Sequence, residues 1–417
     1  MNQDTIIKRI DSDEKEIVSL CQKLVRIPTE NPPGDTTDLV AFLKTLFEQK
    51  GIDYRVYDPQ PNMPNFVAVL KGGEKGRRLV FNGHIDTYPA GDPGLWDREP
   101  FSGELAGGKL HGRGVSDMIA GDTASIMTFF YLAENRDRMK GEVVLTLVSD
   151  EETGGRWGTI WLLKNVPEVM GDALLNGEPS GGELLNFAER GHIWLKFTAR
   201  GQAAHGAYTH MGENAVMMMC RFLEDLHSLE KMQVTPAEIS DLLEQGRDVT
   251  DAMKGPGATD VLKAITVNVG TVSGGLKINL VPDRCDAEVD IRLPQGARCD
   301  DIIEQVRGIC DRHKGLSCEV LRQIDPNYTP PDEEIIRLTL KNAEHIRGHQ
   351  VHLTSGIGLT DGRYFREAGI PSSVYGPRSY NMGAENEYIT VKDLMDTVKV
   401  HTLTAVDYLD WLDPPVF

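Results

Sequence analysis

Ser149-Asp150-Glu151-Glu152-Thr153-Gly154-Gly155 is the stretch on which the reading of this chain turns. It follows Val143-Val144-Leu145-Thr146-Leu147-Val148, an alternating-to-solid apolar run that predicts a buried parallel strand delivering its acids to a sheet edge. Three successive carboxylates at a strand end repel one another, and burial raises that cost unless a cation sits among them or their pKa values rise. Taken alone, the triplet also reads as a solvated acidic loop before a helix. The rest of the chain decides between the two.

Upstream, a strand expected over 78–83 ends in His84-Ile85-Asp86-Thr87. Side chains two apart on a strand share a face, so the Asp86 carboxylate can take one imidazole N–H and leave the other nitrogen of His84 for a metal. A core histidine capped by a turn aspartate fits the same letters. Next comes Gly112-Arg113-Gly114-Val115-Ser116-Asp117, whose glycines permit close backbone approach and leave Asp117 on the N-terminal side of a helix expected over 122–132. A nucleotide-binding loop is a poor alternative, because the glycine spacing differs and no GK[ST] follows. Beyond the triplet, a strand over 172–176 stops at Gly177-Glu178-Pro179. Here again a carboxylate stands where a strand breaks, the usual position of ligands in α/β sheets.

A length of 417 residues exceeds one ordinary core and predicts two domains. With 44 basic against 63 acidic residues the formal charge is −19, which argues against nucleic acid and anionic membrane as partners. The N-terminal residues lead into a charged helix rather than an apolar signal, and no uncharged apolar run reaches spanning length. Six cysteines lack the short spacing of zinc knuckles or redox motifs, so reduced thiols in a cytoplasmic protein are expected.

In this order and with these separations, HxD, GRGxxD, DEExG and GEP resemble the M20 family of metallopeptidases and deacylases over nearly the whole chain. The resemblance implies an α/β, two-domain fold. A mixed-sheet, zinc-peptidase-like catalytic domain would comprise residues 1–189 and 325–417, with an inserted α+β lid and dimerisation domain over 190–324. It also implies that His84 and Glu178 bind one divalent ion (Zn, Mn or Co), that Asp117 bridges two, and that Glu152 binds the second. Asp86 would orient His84, and Glu151 would be the general acid/base. In the inserted domain His205 matches the histidine that polarises the scissile carbonyl, often across a dimer. Asn279 and Arg292 match positions that hold substrate, and an arginine there suits a carboxylate gripped bidentately. For Arg292 a surface salt bridge on a lid strand stays open as the other reading. Thr360-Asp361-Gly362-Arg363 resembles the stretch that closes the family's active site.

Two departures stand against this pattern. Where the family usually reads HxxNE, with the histidine completing the second metal position, alignment of Asn386-Glu387 puts Gly383 in the histidine's place. Where relatives commonly have Met-Lys-Gly after the bridging aspartate, this chain has Met118-Ile119-Ala120. One ion firmly bound and a second weak or absent is the expectation, with Glu385, Glu387, His349 and His352 as substitutes to examine. The expected function is metal-dependent hydrolysis of a C–N bond, the amide of an N-acyl amino acid or short peptide, in a small carboxylate-bearing substrate. A metal-activated water would attack, with Glu151 as general acid/base. An aminohydrolase acting on an aromatic amine such as a nitroanthranilate is an alternative, and a catalytically inactive binding relative is another. A homodimer or higher homo-oligomer is expected. The charged stretch 236–254 reads as solvated helix.

Overall fold

The apolar run before the acidic triplet forms the strand Lys140–Val148, buried throughout its last six residues. In this computed structural model, which describes residues 3–411, that strand pairs antiparallel with Asn65–Lys71 and parallel with Glu74–His84. Glu74–His84 in turn pairs parallel with Ala173–Asn176. The sheet is therefore mixed, with 54–57, 65–71, 140–148, 74–84, 173–176, 372–374 and 184–189 in spatial order. Three of its neighbouring strands run the same way and end at one level. His84 stands opposite Val148, and Asn82 stands opposite both Thr146 and Asn176.

Solid apolar strands of this kind need cover on both faces. The helix Ala120–Glu134 supplies part of it and is buried from Ala120 through Leu132, with no polar face to give to solvent. It packs on the closing helix Val391–Tyr408, where Thr128 and Thr402 hydroxyls meet at 2.9 Å. The charged helix expected at the N-terminus is two helices, Gln3–Ser12 and Glu14–Val25, separated at Asp13.

Apart from the last two residues of 184–189, these elements belong to one compact unit of residues 3–187, 329–354 and 360–411; a second unit comprises 188–328 and 355–359. In the second unit an antiparallel sheet runs 266–274, 284–293, 191–200, 316–324 in spatial order. The helices Ala215–Leu226 and Cys299–Asp311 share its core, in which Phe197, Phe222, Ile291 and Val306 are fully buried. The stretch expected to be solvated helix is instead two helices, Ala237–Gln245 and Arg247–Lys254, with Ile239, Leu243 and Thr250 buried. Their last residue, Lys254, donates to the Ser355 carbonyl at 2.9 Å, and burial pushes its ammonium down to about 8. Formal charge concealed this packing, because the apolar residues sit on one face between the acids. Among the described residues no helix is long and apolar enough to cross a membrane.

Candidate metal centre

Parallel neighbours that end at one level deliver whatever follows them to one edge. His84 is the last residue of its strand, Asp150-Glu151-Glu152 follows Val148, and Glu178 follows Asn176 by one residue beyond Gly177. Asp117 arrives from outside the sheet, in the turn between Gly114 and the Ala120–Glu134 helix. Gly121 makes this approach close. A Cβ there would lie 2.1 Å from the Gly177 carbonyl oxygen, so helix and strand end meet backbone to backbone, and no larger residue fits.

The result is one cluster. His84 Nε2 lies 3.1 Å from Asp117 Oδ1 and 3.3 Å from Glu178 Oε1. Two overlapping sets of donor atoms, His84 with Asp117 and Glu152, and His84 with Glu151 and Glu178, each fall within 4.8 Å of one another. Imidazole nitrogen with carboxylate oxygens suits zinc and its first-row neighbours. Glu152 Oε1 is buried without a hydrogen-bond partner, the state of an oxygen whose partner is a cation.

Without a cation the acids cannot all ionise. Burial, with the Asp117 charge beside it, pushes Glu152 up to about 9, and burial with Asp117 pushes Glu178 up to about 8. Glu151 is raised well above its ordinary value by burial, a rise that the His84 charge opposes. Burial by itself would lower His84, yet the Glu178 charge and the contacts to Asp117 hold it well above its ordinary value.

Asp86 touches both His84 and the acidic turn. His84 Nδ1 meets the Asp86 main-chain carbonyl at 2.8 Å, whereas the carboxylate is 3.6 Å away. That carboxylate instead accepts the backbone N–H groups of Glu151 and Glu152, each at 3.2 Å, and the Asn31 side-chain amide at 2.8 Å. The strand ends at His84, and the Asp86 side chain faces the acidic turn of the neighbouring strand. Asn31 is a site residue that sequence reasoning missed, since its Pro-rich turn carries no chemical signature.

The segment 360–363 lies beside Glu151. Arg363 Nη1 is 3.9 Å from Glu151 Oε1, and Asp361, pushed up to about 7 by burial, accepts from Thr159 Oγ1 at 2.7 Å. No substitute for the expected C-terminal histidine joins the cluster among the described residues. Glu387 is buried and consumed elsewhere, accepting from Arg113 Nη1 at 2.7 Å, Ser116 N at 3.0 Å and Ser116 Oγ at 2.6 Å. His349 is paired with Glu183, the backbone of His352 donates to the Glu183 carbonyl, and Glu385 is exposed.

His205, Asn279 and Arg292 belong to the second unit. Gly206 N–H donates to the Asn279 carbonyl at 2.8 Å, which keeps His205 and Asn279 neighbours. His205 Nδ1 accepts from Ala207 N–H at 3.1 Å, so the proton of the neutral ring sits on Nε2. Arg292 is paired with Asp290 two residues back on its own strand, at 2.9 Å.

A histidine and a group of buried and partly buried carboxylates gathered where parallel strands end suit a metal-dependent hydrolase. Residues 80–407 match the model of peptidase family M20/M25/M40, and the chain belongs to that family. It is an M20-type amidohydrolase. It is 29% identical over 405 residues to a succinyl-diaminopimelate desuccinylase of Cereibacter sphaeroides, covering 94% of this chain and 98% of that one. Over 425 residues it is 24% identical to an N-formyl-4-amino-5-aminomethyl-2-methylpyrimidine deformylase of Halalkalibacterium halodurans, covering 94% of each. Its fold is similar to that of the M20 family metallo-carboxypeptidase Sso-CP2 from Sulfolobus solfataricus, with a TM-score of 0.75 at 17% identity over 95% of this chain and 99% of that one.

Proposed function

We propose that this chain hydrolyses the amide bond of an N-acyl amino acid or short peptide that carries a carboxylate. The observation that supports this most directly is the convergence of His84, Glu151, Glu152 and Glu178 at the ends of three adjacent parallel strands. The names of the desuccinylase and deformylase relatives both denote removal of an acyl group.

His84, Asp117 and Glu178 would hold a divalent ion (zinc, manganese or cobalt) firmly, and Glu152 a second ion weakly or not at all. When bound, such an ion supplies Lewis acidity at the reacting centre. Glu151 takes the proton of the attacking water and returns it to the leaving nitrogen. Arg363 keeps the carboxylate of Glu151 oriented between these two tasks. Asp86 sets the angle of both neighbouring acids through their backbone N–H groups.

The second unit is read as the lid and dimerisation domain. His205, protonated on Nε2, is a donor suited to a developing oxyanion. Asn279 binds substrate beside it, and Arg292 exchanges Asp290 for the substrate carboxylate. A homodimer is favoured by the edge strand Thr266–Gly274 and the loop after it, where Leu276 is 92% exposed and Ile278 wholly so. Six unpaired cysteines fit a reducing, cytoplasmic location.

A panel of N-acyl amino acids and amino-benzoates, read both for released amino acid and for ammonia, tests the reading. Carboxylate-bearing N-acyl amino acids are expected to be cleaved, and Glu151→Gln to lose about a thousandfold in turnover. Ammonia from an amino-benzoate would move the assignment to an aminohydrolase. Binding of both classes without turnover would make the chain a binding relative.

A further inference from the structure

Both sets of donors lay claim to His84. An imidazole nitrogen offers a metal one lone pair. Nδ1 is committed to the Asp86 carbonyl at 2.8 Å, which leaves Nε2 to serve a single ion. The shortest carboxylate approaches to Nε2 come from Asp117, at 3.1 Å, and Glu178, at 3.3 Å. His84 is thereby joined to the Glu178 position, and Glu152 is left with oxygen neighbours.

Among the described residues no other imidazole joins either set. The loop where one is expected is built without it. Gly383 has φ +73°, in the left-handed region that a residue with a Cβ adopts at a cost of about 1–2 kcal/mol. The neck of this loop is a bridge between Tyr380 and Tyr388, whose rings stack at 4.5 Å. Asn386 accepts the Asp97 N–H at 2.8 Å, and Glu387 is locked to Arg113 and Ser116. A Cβ on Gly383 would meet nothing closer than Tyr88 Cδ2, at 4.0 Å. Tyr88 itself is half-exposed.

We propose that the two metal positions of this protein are chemically unlike. One contains nitrogen and is built on His84, Glu178 and Asp117. The other is oxygen-only, built on Asp117 and Glu152, and takes a hard divalent cation such as Mn²⁺ in preference to Zn²⁺. Carboxylate, hydroxyl and water donors suit Mn²⁺ and Mg²⁺, whereas imidazole favours Zn²⁺. This rests on reading the cluster as a metal centre and adds the identity and order of the ions.

Metal-stripped full-length protein is titrated with Zn²⁺ by calorimetry, and the singly Zn²⁺-loaded protein is then titrated with Mn²⁺ and followed by electron paramagnetic resonance. The first Zn²⁺ is expected to bind at least about 100-fold tighter than the second, with Mn²⁺ filling the remaining position. Glu152→Gln is expected to abolish the Mn²⁺ event and retain the tight Zn²⁺. Two Zn²⁺ of equal affinity, or an Mn²⁺ event that survives Glu152→Gln, overturns the proposal. Should circular dichroism find that variant unfolded, Zn²⁺/Mn²⁺ competition in the unsubstituted protein decides by itself. No substrate enters these measurements, so failure of the amide-hydrolysis reading appears in the substrate panel and leaves this result intact.

Discussion

The carboxylate of Asp86 accepts the backbone N–H groups of Glu151 and Glu152, both at 3.2 Å, and so couples the end of the His84 strand to the acidic turn of its neighbour. Two acids adjacent in the chain thus take their orientation from one buried side chain. The same residue steadies the His84 ring through its main-chain oxygen. Three groups of the site are set by one position.

Asp86→Ala removes the acceptor of those N–H groups and of the Asn31 amide. Stability is expected to fall by about 2–3 kcal/mol, since charged hydrogen bonds are lost and their donors stay buried. Metal affinity or turnover is expected to drop about 10–100-fold. Chemical denaturation and metal titration of the same variant check both, and an unchanged site would show that the acidic turn holds itself.

Metal-free protein is expected to lose stability as pH rises from the ordinary glutamate value of 4.5 to about 9. Glu152 is pushed up to about 9, Glu178 to about 8 and Asp361 to about 7, so over this range the folded chain binds more protons than the unfolded one. The raised His84 acts in the same direction, because its stabilising charge is lost as pH rises through its folded value. Metal displaces these protons, so saturating Zn²⁺ flattens the slope, and affinity for the ion rises with pH. Thermal melts with and without Zn²⁺ across this range are the check; a metal-free melting temperature that climbs with pH contradicts the prediction.

Gly121→Ala drives a methyl to within 2.1 Å of the Gly177 carbonyl oxygen. Overpacking of this kind costs about 1–3 kcal/mol, and the helix must back away from the strand end. Asp117 and Glu178 then separate, so metal content measured by elemental analysis falls more steeply than stability does.

Glu387→Ala leaves Arg113 buried without its carboxylate and Ser116 without its acceptor. A loss of about 3–5 kcal/mol is expected in denaturant titration. Glu387 is thus a brace for the Asp117 turn; were it a metal donor, the variant would lose an ion at little cost in stability.

Ile278→Asp tests the exposed loop after the Thr266–Gly274 edge strand. Light scattering on the unsubstituted protein is expected to give a dimer and on the variant a monomer, with secondary structure unchanged. A monomer in both would remove the dimer reading.

Much of the site was legible because each motif adjoins a strand end. His84, Glu151, Glu152 and Glu178 could be placed at strand ends from the letters, since apolar strand runs and the breaks after them are visible in composition, whereas their expected roles came only from the resemblance to the M20 family. Asp117 could be placed by its glycine-bracketed turn, and its expected role again only by that resemblance. Other features depend on partners far apart in the chain: Asn31 meets Asp86 across 55 residues, and Arg113 meets Glu387 across 274. No local pattern encodes such a pairing.

What the sequence by itself determined was the identity of the chemical groups and the missing imidazole at Gly383, because side-chain chemistry is a property of the residue. Only the tertiary structure decided how those groups are shared. Whether Asp86 meets His84 through its carboxylate or its main-chain oxygen depends on the turn after the strand. Whether Glu387 braces or ligates depends on Arg113 having reached it first. Whether one histidine can serve two positions depends on which of its nitrogens is already bonded, and that is a fact of distance.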